Sequence, residues 1–307
     1  MDAAGFGKDR ENALHVPCVF VTIGTSLQSI LGARNGTDDA RRTGGAGMTR
    51  EQIQSGLGTQ WAGQDIVYFK EIDSTNRYAK KLAGQGAAHG TMVLADTQTA
   101  GRGRRGHSWI SPAGSSISMT LILRPDVPPA QVAKISLLTA LATANAIRRV
   151  TGLDVRIKWP NDIVAGGRKV CGMLMEMDAT PEKVASVVAG VGINVHQTQF
   201  PEEIAHSASS LDLLAGRRIS RADIVRAFLQ EYERVWALGD EAMMRAYCAR
   251  SATIGQRVQV IGLNGTYTGT AQDVTESGSL LVRADEDGGV REVLAADVSV
   301  RGIMGYA

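Results

Sequence analysis

From residue 65 to about residue 250 the hydrophobic positions switch between two spacings. Short apolar runs and two-residue alternation mark strands; a three-to-four spacing marks helices. Ile66–Ile72 reads as a strand. Asp73-Ser74-Thr75-Asn76 follows as a cluster of N-cap residues, and a short helix runs from it to about Gly84. Residues 91–97 form a second strand, 98–115 a Gly/Arg/Ser loop, and Ser116–Leu123 a third strand. Pro128-Pro129 opens a long helix with Val132, Ile135, Leu138 and Ala142 on one face, and Gly152 closes it. Residues 155–159, 169–177 and 184–195 are further strands. Ser220, with Asp223 three positions on, has a capping-box pattern and starts a helix whose apolar face is Ile224, Phe228, Tyr232 and Val235. From Thr253 the pattern becomes one of short β runs, Val258/Val260, Leu280/Val282 and Val290 onward, with turns at Gly265, Gly278 and Gly288-Gly289.

Residues 1–47 lack this order. They are rich in Gly, Ala, Arg and Thr, and 37–47 shows no periodicity. They read as a disordered extension, or as an artefact of start-site choice with Met48 as the natural beginning. The run nearest to a membrane span is 14–31, and His15, Pro17, Thr22, Gly24, Ser26, Gln28 and Ser29 interrupt it. It falls short of the ~20 predominantly apolar residues a span needs, and as a signal peptide it lacks a clear cleavage site. No pair of short helices joined by a tight turn is visible, so a helix-turn-helix DNA reader is not expected.

Composition narrows the chemistry. At ~100–200 residues per domain, 307 residues allow about two domains. The 33 basic and 31 acidic residues leave a net charge of +2, which argues against a global electrostatic binder of nucleic acid or membrane. Anion chemistry must then be local. Glycine numbers 35, where ordinary usage of ~7% would give about 21, so parts of this backbone bend sharply or are approached closely. Cys18, Cys171 and Cys248 are far apart and form no CxxC, and the five histidines show no HxxxH or HExxH spacing. A disulfide framework and a zinc centre are therefore not expected, and the compartment reads as cytoplasmic.

Five segments carry candidate chemistry. In Gly101-Arg102-Gly103-Arg104-Arg105-Gly106-His107-Ser108-Trp109 the glycines let backbone N–H groups turn inward as an anion nest, the arginines add two-pronged contacts, and Trp109 offers a flat face. The loop is poor in apolar residues, so it is expected to order on ligand; an RNA-binding flexible segment is the other reading. In Lys158-Trp159-Pro160-Asn161-Asp162, Lys158 can neutralise a phosphate and Asn161 or Asp162 can hold magnesium or a ribose, while a plain β-turn explains the same residues. Lys169 stands at the entrance of the apolar strand that holds Cys171, Met173, Met175 and Glu176, with an edge-strand gatekeeper as the alternative. Gly190-Val191-Gly192-Ile193-Asn194 admits close approach by a ligand or by another backbone. Ser74, Thr75 and Asn76, with Gln98 on the next strand, can read a neutral polar ring, or Ser74 and Asp73 can simply cap a helix.

The order of these segments is more specific than any one of them. DSTN, a Gln before GRGRRGxxW, then KWPND, KxxGxLxE and GxGIN resembles the biotin–protein ligase family over roughly residues 65–302. The resemblance implies an α+β fold: a mixed sheet flanked by helices, similar to class II aminoacyl-tRNA synthetases, with a small C-terminal SH3-like β-barrel. The divisions it implies are an extension over 1–47, a catalytic biotin- and ATP-binding domain over 48–252, and a small β domain over 253–307. It also implies ATP-dependent formation of biotinyl-5′-AMP and transfer of biotin to a lysine of a biotin carboxyl carrier protein or domain. Carried over position by position, Ser74, Thr75, Asn76 and Gln98 resemble the readers of the ureido ring, with Arg102, Gly103 and Arg104 closing over biotin. Lys169 is expected beside the biotin carboxylate and, with Arg104, in catalysis. Arg105, His107, Trp109, Lys158, Asn161, Asp162 and Asn194 are expected on the nucleotide side. Magnesium is expected to accompany ATP, its ligands left open. The family usually has arginine where His107 stands, which implies weaker or pH-sensitive phosphate contact. A homodimer through sheet edges is compatible with the family; nucleic acid and membrane are not expected partners. Lipoate–protein ligase is the nearest alternative enzyme, and the arginine loop argues for biotin.

Overall fold

The computed structural model describes residues 48–110, 112–262, 265–295 and 298–302. The expectations for 1–47, including the run at 14–31, lie outside the described residues. Seven strands form one mixed sheet: β1 (Ile66–Ile72), β2 (Met92–Gln98), β3 (Ser116–Leu123), β4 (Val155–Lys158), β5 (Asp162–Ala165), β6 (Arg168–Ala179) and β7 (Val184–Asn194). Their order is β1-β2-β3-β7-β6-β5-β4, parallel between β1 and β2 and antiparallel elsewhere. Helices are α1 (Arg50–Gln54), α2 (Thr75–Gly84), α3 (Val132–Thr151), α4 (Glu202–Ala205), α5 (Leu211–Ala215), α6 (Arg221–Trp236) and α7 (Asp240–Ala249).

Strand alternation assigns the two faces of this sheet. Ile117, Met119, Leu121 and Leu123 of β3, Val187, Ala189, Val191 and Ile193 of β7, and Cys171, Met173 and Met177 of β6 face the main core. Helices α3 and α6 cover that core with Leu137, Leu138, Leu141, Ile147, Ile224, Phe228 and Tyr232. The opposite face is closed at one end by α2, whose Ala79 and Ala83 pack on Val93, Ile122 and Val188. Beyond that patch the same face carries Thr120, Gly172, Leu174, Glu176, Gly190 and Gly192, because side chains two apart in a strand share a face. The core thus secures one side of the sheet and leaves a polar, glycine-rich strip on the other.

The C-terminal segment forms a second, antiparallel sheet of β8 (Arg257–Gly262), β9 (Gly265–Val274), β10 (Leu280–Ala284), β11 (Val290–Val293) and β12 (Val298–Gly302), ordered β11-β10-β9-β8-β12. Trp159, 1% exposed, pegs it to the larger sheet: its backbone N–H donates to Thr253 Oγ1 and its Nε1 to the Gly278 carbonyl, both at 3.0 Å.

Local signals and structure agree closely at β1, β3 and α6, and differ where chemistry is not local. Ser74 occupies the N-cap of α2 without a capping side-chain bond; Gln98 Oε1 accepts from the Thr75 N–H at 2.8 Å instead. Ser220 accepts from the Asp223 N–H, but the Asp223 carboxylate pairs with Arg226, so only half of the expected box forms. Strand β5 is too short, and β9 too polar in Gly265–Val274, to show a hydrophobic period. Residues 129–151 are long and apolar enough to cross a membrane by length and composition, a run the sequence reading passes over. Its most apolar window is 67% buried within the protein, as in a core helix.

Candidate active site

All fifteen residues singled out for binding or catalysis line one cavity of about 1460 Å³ over the glycine strip. The neutral end is built on α2. Thr75 Oγ1 donates to Gln98 Oε1 at 3.1 Å and accepts from Thr120 Oγ1 at 2.9 Å; Thr120 Oγ1 also lies 2.7 Å from Asn76 Oδ1. Asn76 Nδ2 donates to the Leu174 carbonyl at 3.2 Å. That carbonyl can only accept, so the Asn76 amide has one orientation. Ser74, Thr75 and Asn76 are each at most 5% exposed. Glycine is required underneath: a Cβ on Gly190 would overlap the Asn76 amide, and one on Gly192 would overlap the Trp109 indole.

The cationic end is built on β4, β5 and β6. Lys169 Nζ pairs with Asp162 Oδ1 at 2.7 Å and lies 5.9 Å from the centre of the Trp109 ring, within cation–π range. The backbone of Lys169 is clamped by Ser207 and Ser209, at 2.8 and 2.9 Å. Lys158 is 7% exposed. Burial pulls its ammonium down to about 8, Lys169 and Arg301 push the same way, and Asp162 opposes them. Trp109 Nε1 is buried and has no hydrogen-bond partner among the described residues.

The glycine–arginine loop closes on itself and then onto both ends. Gly103 N–H donates to the His107 carbonyl at 2.7 Å, and Arg102 and Ser108 bridge as in a sheet. Arg105 has φ 54°, a left-handed conformation that a side chain disfavours. Arg104 Nη1 donates to Asn161 Oδ1 at 3.1 Å, and Nη2 donates to the Ala295 carbonyl. Burial lowers the Arg104 guanidinium from its usual range, with Asp162 opposing. These protein partners are what a count of apolar residues in the loop does not reveal. Asn161 spends its amide on the fold: besides Arg104, it donates to the Met173 carbonyl at 2.9 Å. Asn194 donates to the Ser209 carbonyl at 3.1 Å and accepts from Gln197 at 3.2 Å.

Three contributors escape local reading. Thr120 sits in a strand that scans as core. The segment from Gln197 to Ala208 has no periodic signal yet walls the cavity, and Ile261, Val300 and Arg301 reach it from the second sheet. Only the fold brings these separate parts of the chain to one site.

Comparison with known proteins finds matches to both parts of the chain. Residues 68–194 match the biotin/lipoate A/B protein ligase family, and residues 253–301 match the biotin protein ligase C terminal domain. The chain is 36% identical over 258 residues to the biotin--[acetyl-CoA-carboxylase] ligase of Mycobacterium tuberculosis, covering 81% of this chain and 92% of that protein. It is 36% identical over 259 residues to the bifunctional ligase/repressor BirA of Bacillus subtilis, covering 82% and 79% respectively. The solved biotin protein ligase from Aquifex aeolicus in complex with biotin and ATP superposes with a TM-score of 0.66 at 27% identity, over 78% of this chain and 99% of that one. A polar recess and a cationic cluster under one arginine loop, the two matched segments and relatives of this identity lead to one conclusion: the chain belongs to the biotin protein ligase family.

Proposed function

We propose that this protein activates biotin with ATP and transfers it to a lysine of a biotin carboxyl carrier protein or domain. The observation that carries this reading is the cavity itself: a neutral amide-and-hydroxyl recess at Thr75, Asn76 and Gln98 runs into a lysine–arginine cluster at Lys158, Lys169 and Arg104. Biotin has that same polarity, with a neutral ureido ring at one end and a carboxylate at the other. In the first step a carboxylate oxygen attacks the α-phosphorus of ATP; the new P–O bond forms as the bond to pyrophosphate breaks. In the second step the carrier amine attacks the acyl carbon, a C–N bond forms, and AMP and a proton leave. Both steps gather negative charge, so fixed cations and positioning supply most of the catalysis. Lys169 stabilises the carboxylate–phosphate junction, exchanging its partner Asp162 for the ligand. Ser74 and Gln98 complete the ureido recess, Arg102 and Gly103 cover it, and Arg105, His107, Trp109 and Asn194 face the nucleotide.

Magnesium fits as an ion that arrives on the triphosphate. Among the described residues there is no group of three His, Cys, Asp or Glu side chains suited to a resident ion. Asp162 would share it with phosphate oxygens, and the ion would neutralise the departing pyrophosphate. In this reading 48–252 is the catalytic domain and 253–307 a small SH3-like β domain, and the main sheet is of the class II aminoacyl-tRNA synthetase type. Acceptor transfer takes place in the cytoplasm, without nucleic acid or membrane, and a homodimer through sheet edges is compatible with it.

The test is to mix protein, biotin, MgATP and a carrier domain and to weigh the carrier. A mass gain of one biotinyl group is expected, with none from lipoate and none from the Lys169→Ala protein in the same time. A carrier that gains lipoate instead, or a gel shift of DNA unaffected by biotin with no mass gain, overturns the reading.

A further inference from the structure

Glu176 takes no part in the chemistry above, yet groups from two separate parts of the chain converge on its carboxylate. Asn76 Nδ2, from α2, donates to Oε2 at 3.0 Å. Arg102 Nη2, from the loop, donates to the same oxygen at 2.8 Å. Lys80 Nζ reaches Oε1 at 3.3 Å. The Glu176 side chain is 12% exposed, whereas those of Arg102 and Lys80 are 41% and 30% exposed. A largely buried carboxylate is costly without its partners, so Glu176 holds Arg102 more strongly than an exposed pair would. Asn76 is held in place, because its Nδ2 also serves the Leu174 carbonyl and its amide packs directly on the backbone of Gly190 beneath it. One oxygen atom therefore ties the glycine–arginine loop to the floor of the recess.

We propose that Glu176 is a positioning residue: through Arg102 it latches the glycine–arginine loop onto Asn76, so that closure of the loop and the geometry of the recess depend on each other. The latch itself is read from the contacts among Asn76, Arg102 and Glu176; its consequence for biotin rests on the ligase reading above.

The experiment follows tryptic cleavage after Arg104 and Arg105 by mass spectrometry in the ligand-free full chain. Glu176→Gln keeps the shape and removes the charge, and loop cleavage is expected to rise roughly two- to fivefold, as suits a partly exposed ion pair. Arg102→Ala should give the same rise, and the double variant no more than either alone, since one contact is being removed. Lys80→Ala should cleave like the wild type. Glu176→Asp, which keeps the charge on a shorter arm, should fall between, and it supplies the reading if Glu176→Gln does not accumulate. In the ligand arm, Glu176→Gln should release preformed biotinyl-5′-AMP faster and raise KM for biotin with kcat nearly unchanged. Wild-type cleavage rates in both Glu176 variants, or effects of Glu176→Gln and Arg102→Ala that multiply in the double variant, overturn the latch. A wild-type protein that forms no adenylate overturns the ligase reading and leaves the cleavage comparison to judge the latch.

Discussion

At about pH 8 the ammonium of Lys158 in the free protein loses its proton, because burial disfavours the charge and neighbouring cations add to the effect. In the proposed function an incoming polyphosphate binds the protonated form. The sign follows: affinity for ATP is full below pH 8 and declines as pH rises through it. We expect kcat/KM for ATP to fall with an apparent midpoint near 8, since that ratio reports groups of the free enzyme. Lys158→Arg should flatten this limb, because guanidinium stays charged throughout the range. A profile of the Arg variant identical to wild type would assign the midpoint to another group. His107, on the rim of the same cavity, is the second residue with a distinct prediction. Histidine is shorter than arginine and lacks its two-pronged guanidinium, so His107→Arg should lower KM for ATP; steady-state kinetics at fixed biotin would show it.

Among the elements, β7 shows how a strand can be core and site together. Its odd-numbered residues Val187, Ala189, Val191 and Ile193 are in the core, while Gly190 and Gly192 are the surface on which Asn76 and Trp109 lie. Alanine is tolerated in a strand, so backbone preference does not explain these glycines; close approach does. Gly190→Ala should displace the Asn76 amide and, because its buried hydrogen bonds to Leu174, Glu176 and Thr120 are strained with it, lower the melting temperature by several degrees. Because a displacement of ~1 Å at a binding group can cost about a hundredfold, we expect KM for biotin to rise by roughly tenfold or more while KM for ATP stays near wild type. Equal effects on both constants would point to general distortion of the sheet. Helix α6 is the converse case: Ile224, Phe228, Tyr232 and Val235 are all buried and line no part of the cavity, so their spacing serves packing alone.

In the molecule as a whole, the second sheet is part of the cavity rather than an appendage. Arg104 of the loop binds the Ala295 carbonyl, and Ile261, Val300 and Arg301 lie on the wall. Trp159 couples the two sheets through Thr253 and Gly278. Trp159→Phe leaves the buried Gly278 carbonyl without its donor and should cost about 1–3 kcal/mol; Trp159→Ala opens a larger cavity as well and should cost ~3–5 kcal/mol. Both are measurable by denaturant unfolding. If the second sheet shapes the nucleotide side, Trp159→Phe should raise KM for ATP as well; an unchanged constant would confine Trp159 to stability.

Much of this was written in local pattern. The apolar face of α6, the buried run of β3, the Gly152 stop of α3 and the segments that meet in the cavity follow from spacing, capping and the conformational needs of glycine, which act over a few residues. Local pattern leaves open what each polar group is for. Ser74 scans as a cap, but Gln98, across the parallel β1–β2 pair, does the capping. Asn161 scans as a ligand contact and, while lining the cavity, also braces Arg104 and β6. Glu176 scans as an unremarkable strand carboxylate and turns out to hold Arg102, seventy-four residues away in sequence. Such roles depend on which desolvated donor meets which acceptor, and only the packing of β6 against β7, with α2 and the arginine loop laid over them, settles that pairing.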